Sequence, residues 1–441
     1  MNKKHNNEQK PALTAGIEEI KEIKHLTPGE KIKKFLVNNM VTILFVILCG
    51  IGLRLSGLSM AFYLNDIVNR IARNSFLILA LIIPVMAGMG LNFAIVLGAM
   101  AGQAAIIFVT HWGFGGPFGI LLCALLAAPG ALFLGWMTGR LLNRARGKEM
   151  ITSLILGFFA NGVYQLIFLL MIGTIIPMQN EVLVLSSGIG LRTTIDLSDG
   201  LRYGLDDIIR TPFPLFVLMF SAVALVVLVV LLVRMRSRQL AVDAPKRKKL
   251  IMWSVFTLVL LGWSLMTHFS LSQINLVRVP TFTMLVIAVL CLFNIFIVKT
   301  KLGQDFRSVG QDQHIAQVSG INVDRTRIQA IMISTLLAAW GHIIFLQNLG
   351  AFSTYGSHEQ VGMFASAAIL IGGASVSKAT VGHAILGAVL FHTLFIVSPL
   401  AGRNLMGDAQ LGEYFRTFVA YGVIGVSLGL HAWRKLIQSR K

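Results

Sequence analysis

PFGILLCALLAAPGALFLGWMTG, residues 117–139, runs for 23 positions without a charged side chain. A bilayer core roughly 30 Å thick is crossed by about 20 such residues, and only as a helix, because helical backbone satisfies its own polar groups. The rest of the chain repeats the pattern. Of its 441 residues 55% are hydrophobic and 13% charged, and the apolar residues fall in long blocks instead of alternating with polar ones. Blocks at 37–57, 75–90, 91–112, 151–173, 213–233, 251–268, 279–298, 328–348 and 416–434 read as further spans. One more apolar stretch, 363–397, is interrupted by Gly372, Gly373, Lys378 and Thr380. It reads either as two spans or as a re-entrant pair of half-helices. The expected fold is all-α, a polytopic membrane helical bundle of about 10–12 transmembrane segments, some of them broken or re-entrant.

Charge sets the expected orientation. Of the 38 Lys and Arg, 28 cluster in the N-terminal tail, 140–149, 234–250, 299–327 and the C-terminal tail, all on one side of this topology. That side is the cytoplasm by the positive-inside rule, which puts both termini inside. The opposite loops are expected to hold Arg54, Arg70, Arg73, Arg192, Arg202, Arg210, Arg278, Arg403 and Arg416. The net charge of +19 is then mostly a topology signal, and no soluble basic domain is present for nucleic acid. Domain organisation follows: a cytoplasmic tail over 1–36, a transmembrane domain over 37–435 with a cytoplasmic loop at 299–327, and a short tail at 436–441. No small-residue cleavage site follows the first apolar block, so the first span is expected to be retained. Within the N-terminal tail Ile17, Ile20, Ile23 and Leu26 recur at helical spacing beside Lys21 and Lys24. Either a short amphipathic helix on the anionic leaflet or a solvated tail accounts for them. Cys49, Cys123 and Cys291 sit inside apolar blocks, without metal-site or disulfide spacing.

All 19 Asp and Glu can be assigned to loops or tails, whereas ion-driven transporters keep carboxylates at membrane depth. The expectation is therefore against ion coupling and, with no H-E-x-x-H motif, against a metalloenzyme. No G-x-x-x-x-G-K-[ST] phosphate loop occurs, so a pump built on this chain needs a partner to bind ATP.

Residues 303–329, GQDFRSVGQDQHIAQVSGINVDRTRIQ, stand out as polar in so apolar a chain. The spacing predicts a short helix over 311–319. Gly320 suits the left-handed position that closes it, and Ile321 the hydrophobic contact of that cap. Ile315, Val318 and Ala316 form a small apolar face, shaped to dock into another protein's groove. The bland reading is a surface helix with no partner. This stretch is similar to the coupling-loop signature of bacterial ABC importer permeases of the branched-chain amino acid, simple-sugar and nucleoside family. The matching positions are Gly303, Arg307, Val309, Gly310, Ala316, Ser319, Gly320, Ile321 and Asn322. Two positions depart: Ile315 replaces the first alanine of a pair, and no proline stands at Gln313 or His314. RGKEMITSLILGFFANG, 146–162, is similar to the family's Asn-Glu-Val-Ile-Thr-Thr-Leu-Met-Leu-Asn run, which places Glu149 at the cytoplasmic start of a span. Gly157 takes the place of the family's asparagine, and Asn161 follows one turn later. AAILIGGASVSKATVGHAILGAVL, 367–390, is similar to the family's glycine-pair hairpin.

The resemblance covers residues 75–435. It implies a transport subunit with no catalytic residues or metal of its own, at the bacterial plasma membrane. ATP and Mg are held by separate ABC ATPase subunits, which dock on Arg307, Gly310, His314, Ile315, Ala316, Ser319, Gly320, Asn322 and Glu149. A second permease subunit and an extracytoplasmic solute-binding protein complete the assembly. The solute is small and polar, with sugars or nucleosides ahead of branched-chain amino acids. An ion-coupled transporter or facilitator is the alternative, and an inert membrane scaffold the third reading.

GMGLNFAIVLGAMAGQAA, 88–105, packs four glycines and two amides into an otherwise spanning helix. Gly98 and Gly102 fit close helix packing. Asn92, Gln103, Asn161 and Gln165 are expected to line a polar pathway, because an unsatisfied amide in hydrocarbon costs on the order of a few kcal/mol. Phe158 and Phe159 would face a sugar or base ring. His342, His383 and His392 show no ligand spacing and read as packing or lining residues.

Overall fold

The computed structural model describes residues 29, 36 and 39–439, apart from 179, 181 and 238–243. The proposed tail helix around Ile17–Leu26 lies outside the described residues. Among the described residues seven helices are long and apolar enough to cross a membrane, or eight if Thr281–Ile297 and Lys301–Gln311, bent by 70°, count as one span. Helix α1 (Met40–Ser56) is a shorter apolar helix closed by a left-handed Gly57. Next come α2 (Met60–Ala80) and its continuation α3 (Ile82–Met86), then α4 (Ile95–His111), α5 (Gly116–Arg144) and α6 (Glu149–Leu166), which runs on through a π turn to Met171. An irregular segment carries strands β1 (Thr194–Asp196) and β2 (Arg210–Pro212) before the hairpin of α7 (Phe213–Ser237) and α8 (Ala244–Phe269). Strand β3 (Arg278–Pro280) leads into α9 (Thr281–Ile297), then α10 (Lys301–Gln311), α11 (Gln313–Val318) and α12 (Val323–Leu349). After β4 (Ala351–Ser353) the chain closes with α13 (Val361–Ile371), α14 (Val381–Met406) and α15 (Ala409–Ser439). The strands pair antiparallel, β1 with β4 and β2 with β3.

Helix α12 is the axis, and small residues let its neighbours reach it. A Cβ at Gly98 would overlap Thr335 O and come 2.9 Å from Ala338 Cβ, and one at Gly102 would overlap Ala339 O. On the other side Gly135 and Gly139 of α5 leave only 2.8 Å to Met332 Cα and 2.9 Å to Ile328 Cα. All four serve packing, the role the sequence indicated for Gly98 and Gly102. Gly98→Val should therefore destabilise the protein by about 1–3 kcal/mol through overpacking. Gly130→Ala, which meets nothing closer than 4.0 Å, should be neutral. Thermal unfolding of the detergent-solubilised variants measures the difference. At the other extreme α7 and α8 bury 6% and 11% of their spanning windows against 61% for α12, so they form a peripheral hairpin with apolar sides turned to lipid.

Three expectations need correction. The segment holding Arg70 and Arg73 is not a loop: α2 starts at Met60, where the Ser59 hydroxyl accepts from Phe62 N. Asn65, Asp66, Asn69, Arg70, Arg73 and Asn74 lower the hydropathy of its first half, yet all but Arg73 bond along the helix. Arg70 pairs with Asp66 at 3.0 Å, and Asn74 Nδ2 donates to Arg70 O. Asp66 is thus an acid inside a candidate span, which overturns the assignment of every acid to loops and tails. Asp206 is also fully buried, accepting from Asn348 Nδ2 at 2.6 Å and from the Thr283 hydroxyl.

The 363–397 stretch is neither of the two simple alternatives. Helix α13 has 11 residues, about 16 Å of rise, too short to span alone, whereas α14 has 26 and is a full span. The break between them reaches the end of the bundle where α6 begins, since a Cβ at Gly90 would touch both Val376 Cγ1 (3.0 Å) and Met150 Cγ (3.3 Å). A G-x-S-x-G string at 425–429 lies within α15, not at the strand-to-helix turn a nucleophilic serine requires.

Candidate functional site

The predicted short helix exists, and its caps explain its length. Helix α9 ends at Ile297 and α10 leaves it at 70°. Thr300 caps α10 by accepting from Gly303 N at 3.2 Å. Asp312 then ends α10 and caps α11, its Oδ1 accepting from Ile315 N at 2.9 Å. The helix over 311–319 is therefore divided, with α11 proper covering six residues. Gly320 is left-handed (φ 84°), Gly320 N donates to Gln317 O, and Ile321 N donates to Ala316 O, both at 3.0 Å. This is the predicted glycine cap. Asn322 caps α12 through Arg325 N at 3.0 Å.

Burial divides the apolar face. Ala316 is 2% exposed and packs with Val309, Val323 and Ile321, holding α11 against its neighbours. Ile315 and Val318 are 54% and 77% exposed. The outward face thus consists of Ile315 and Val318, with His314, Ser319 and Arg307 also exposed, and Ala316 belongs to the anchor. Gly310 is an anchor too: a Cβ there would overlap Met86 O, and one at Gly88 would lie 2.7 Å from Gly310 Cα. The loop is seated on the turn after α3.

Glu149 is next to this loop but faces inward. Arg327, fully buried four residues into α12, places Nη2 2.6 Å from Glu149 Oε1, and the Glu149 side chain is 13% exposed. Beside this pair Arg146 bonds Asp324, and Asn143 Nδ2 donates to Asp324 O at 3.0 Å. The first turn of α12 is latched to the start of α6 and the end of α5. Arg327 reads in the sequence only as a flanking positive charge, with nothing to show it buried.

The expected pathway residues separate into three groups. Asn92 is 2% exposed and accepts from Ala94 N at 3.1 Å at the turn into α4, and its Nδ2 has no hydrogen-bond partner among the described residues. Gln165 is half-buried, with no hydrogen bond among the described residues, and lies outside the polar cluster. Gln103 and Asn161 come together through a residue the sequence reading passed over, His358. Gln103 is fully buried: its Nε2 donates to Thr354 O (2.6 Å) and Ser353 O (3.3 Å), and its Oε1 meets His342 Nε2 (3.3 Å) and His358 Nδ1 (3.2 Å). His358 Nε2 lies 2.8 Å from Asn161 Oδ1, and Asn161 Nδ2 lies 2.6 Å from Glu359 Oε1. Tyr164 covers the imidazole of His358 at 4.6 Å between ring centroids. Gln103 therefore supports the cluster from within, while Asn161 and Glu359 reach a cleft of about 370 Å³ that Phe158, 70% exposed, also lines. No local signal marks His358 and Glu359, because the loop after β4 folds back between helices.

Among the described residues no group of His, Cys, Asp or Glu is arranged to hold a metal ion. No solved structure matches the chain. It is 38% identical over 130 residues to a probable ABC transporter permease protein, y4mJ, of Sinorhizobium fredii, covering 29% of this chain and 38% of that protein. It is 29% identical over 183 residues to the xylose transport system permease protein XylH of Haemophilus influenzae (41% and 46%). Over 142 residues it is 29% identical to the nucleoside ABC transporter permease protein NupC of Lactococcus lactis subsp. cremoris (32% and 42%). The matched part of the chain spans less than half the length of each of these relatives. The family profile described as "branched-chain amino acid transport system / permease component" matches residues 72–426, so this multi-pass membrane protein belongs to that permease family.

Proposed function

We propose that the chain is the permease subunit of an ATP-binding cassette importer, forming the translocation pathway for a small polar solute. The carrying observation is the exposed pair Ile315 and Val318 on a six-residue helix whose remaining apolar side chain, Ala316, fastens it to the bundle. Such a knob fits a groove on an ATPase subunit, which would hold the ATP and Mg, and this chain would bind neither. The loop end, with both termini, faces the cytoplasm. A second copy or a similar permease completes the pathway, and an extracytoplasmic binding protein delivers the solute. Relatives named for xylose and nucleoside transport favour a simple sugar or a nucleoside. Closure of the ATPases would push α11, and the pair of Arg327 with Glu149 would carry that push into the helix bearing Asn161.

Cysteine cross-linking tests the docking. Val318→Cys is expected to cross-link to a co-expressed ATPase subunit from the same operon, in an ATP-dependent manner, while Val223→Cys on α7 gives no product. A cross-link pattern confined to lipid or to no hydrolase overturns the reading. Asp66 and Glu359 favour examining an ion-coupled alternative, in which an uncoupler would stop uptake and ATP depletion under a maintained gradient would not.

A further inference from the structure

Glu359 sits at an unusual depth for an exposed acid. Its partner Asn161 is 12 residues from Glu149 and 10 from Met171, so it lies about 18 Å from one end of the span and about 15 Å from the other. An ionisable group exposed at mid-span does not face lipid, where it would be costly, but faces water or protein. Around it Phe158 is 70% exposed and Tyr421 40% exposed, and both line the same cleft.

The hydrogen bonds behind Glu359 fix its chemistry. Gln103 Nε2 faces two carbonyl acceptors, so Gln103 Oε1 must accept from both His342 and His358. His358 therefore carries its proton on Nδ1, and Nε2 meets the Asn161 amide. Asn161 thus links the imidazole of His358 to the carboxylate of Glu359. Glu359 Oε2 has no hydrogen-bond partner among the described residues.

We infer that this cleft is a solute-contact site in a water-filled pathway, where Glu359 hydrogen-bonds hydroxyl groups of an uncharged ring solute, a pentose or the ribose of a nucleoside. Phe158 offers the apolar face of such a ring a surface to stack on. Glu359 Oε2, left without a partner at the cleft, is placed to accept from ring hydroxyl groups. This rests on the permease reading and adds the cleft and the residue that would contact the solute.

The test uses the whole transporter, with its ATPase and binding protein, in liposomes. In a background with Cys49, Cys123 and Cys291 replaced, Phe158→Cys and Glu359→Cys should react with a membrane-impermeant cationic methanethiosulfonate. Val223→Cys, exposed on the peripheral hairpin, should react far more slowly. Millimolar D-xylose, D-ribose or uridine should slow labelling at Phe158→Cys. Glu359→Gln keeps the side chain's length while removing its carboxylate and should raise KM for the transported member of these three about tenfold. Labelling of both sites as slow as at Val223→Cys overturns the proposal, as does an unchanged KM in Glu359→Gln and Glu359→Ala. ATP-driven uptake of a charged solute and of none of the three overturns the ligand class but leaves the permease reading standing. Absence of any ATP-driven uptake overturns that reading instead, and labelling still decides whether the cleft is wet.

Discussion

Replacing Glu149 by alanine is expected to cost the folded protein about 3–5 kcal/mol, because it strands a buried guanidinium. Arg327 is fully buried, its Nη2 meets Glu149 Oε1 at 2.6 Å, and its Nε and Nη1 have no other partner among the described residues. Nothing nearby takes over when the carboxylate is removed. Arg327→Met should be milder. It leaves a carboxylate that is 13% exposed at the first residue of α6, where the helix dipole favours a negative charge. The double variant should recover part of the loss of Glu149→Ala, since the uncompensated charge is gone. Unfolding midpoints of the four proteins in detergent give the coupling directly. Equal midpoints for wild type and Glu149→Ala would show that Arg327 does not depend on its partner.

Ile315→Asp combined with Val318→Asp should reduce ATP-driven uptake by about 100-fold or more while leaving the unfolding midpoint within the small range of surface changes. Both side chains are more than half exposed and neither belongs to the cluster of Val309, Ala316 and Val323. Two carboxylates placed on so small a knob oppose its burial in an apolar groove. Ala316→Arg has a different meaning. With 2% exposure it has no room for a guanidinium, so its loss of uptake should come with a lower unfolding midpoint. A double variant with full uptake and a normal midpoint would show that this face docks nothing that matters for transport.

How much of this was legible in the sequence varies from element to element. The α11 cap was readable because it is local: a glycine in the left-handed region and the two bonds around it involve residues five apart or fewer. The packing roles of Gly98 and Gly102 were readable because small residues four apart share one helix face. Helix α2 was misplaced because hydropathy averages over a window, and most of its polar residues bond to one another along the helix. Gln103, Asn161 and His342 stood out singly in the sequence, but their meeting with His358 and Glu359 did not, because no periodicity links positions that far apart.

By itself, then, the sequence determined that this is a helical membrane protein, where most of its spans lie, and that a capped helix projects from a polar loop. Those features depend on local backbone preference and on the cost of placing apolar or polar blocks in the wrong solvent. Only the tertiary structure decided that Ala316 anchors while Ile315 and Val318 project, that Glu149 answers a buried Arg327, and that Glu359 reaches the middle of a span. Each of these depends on which surfaces meet when distant helices pack, and one-dimensional spacing carries no record of that.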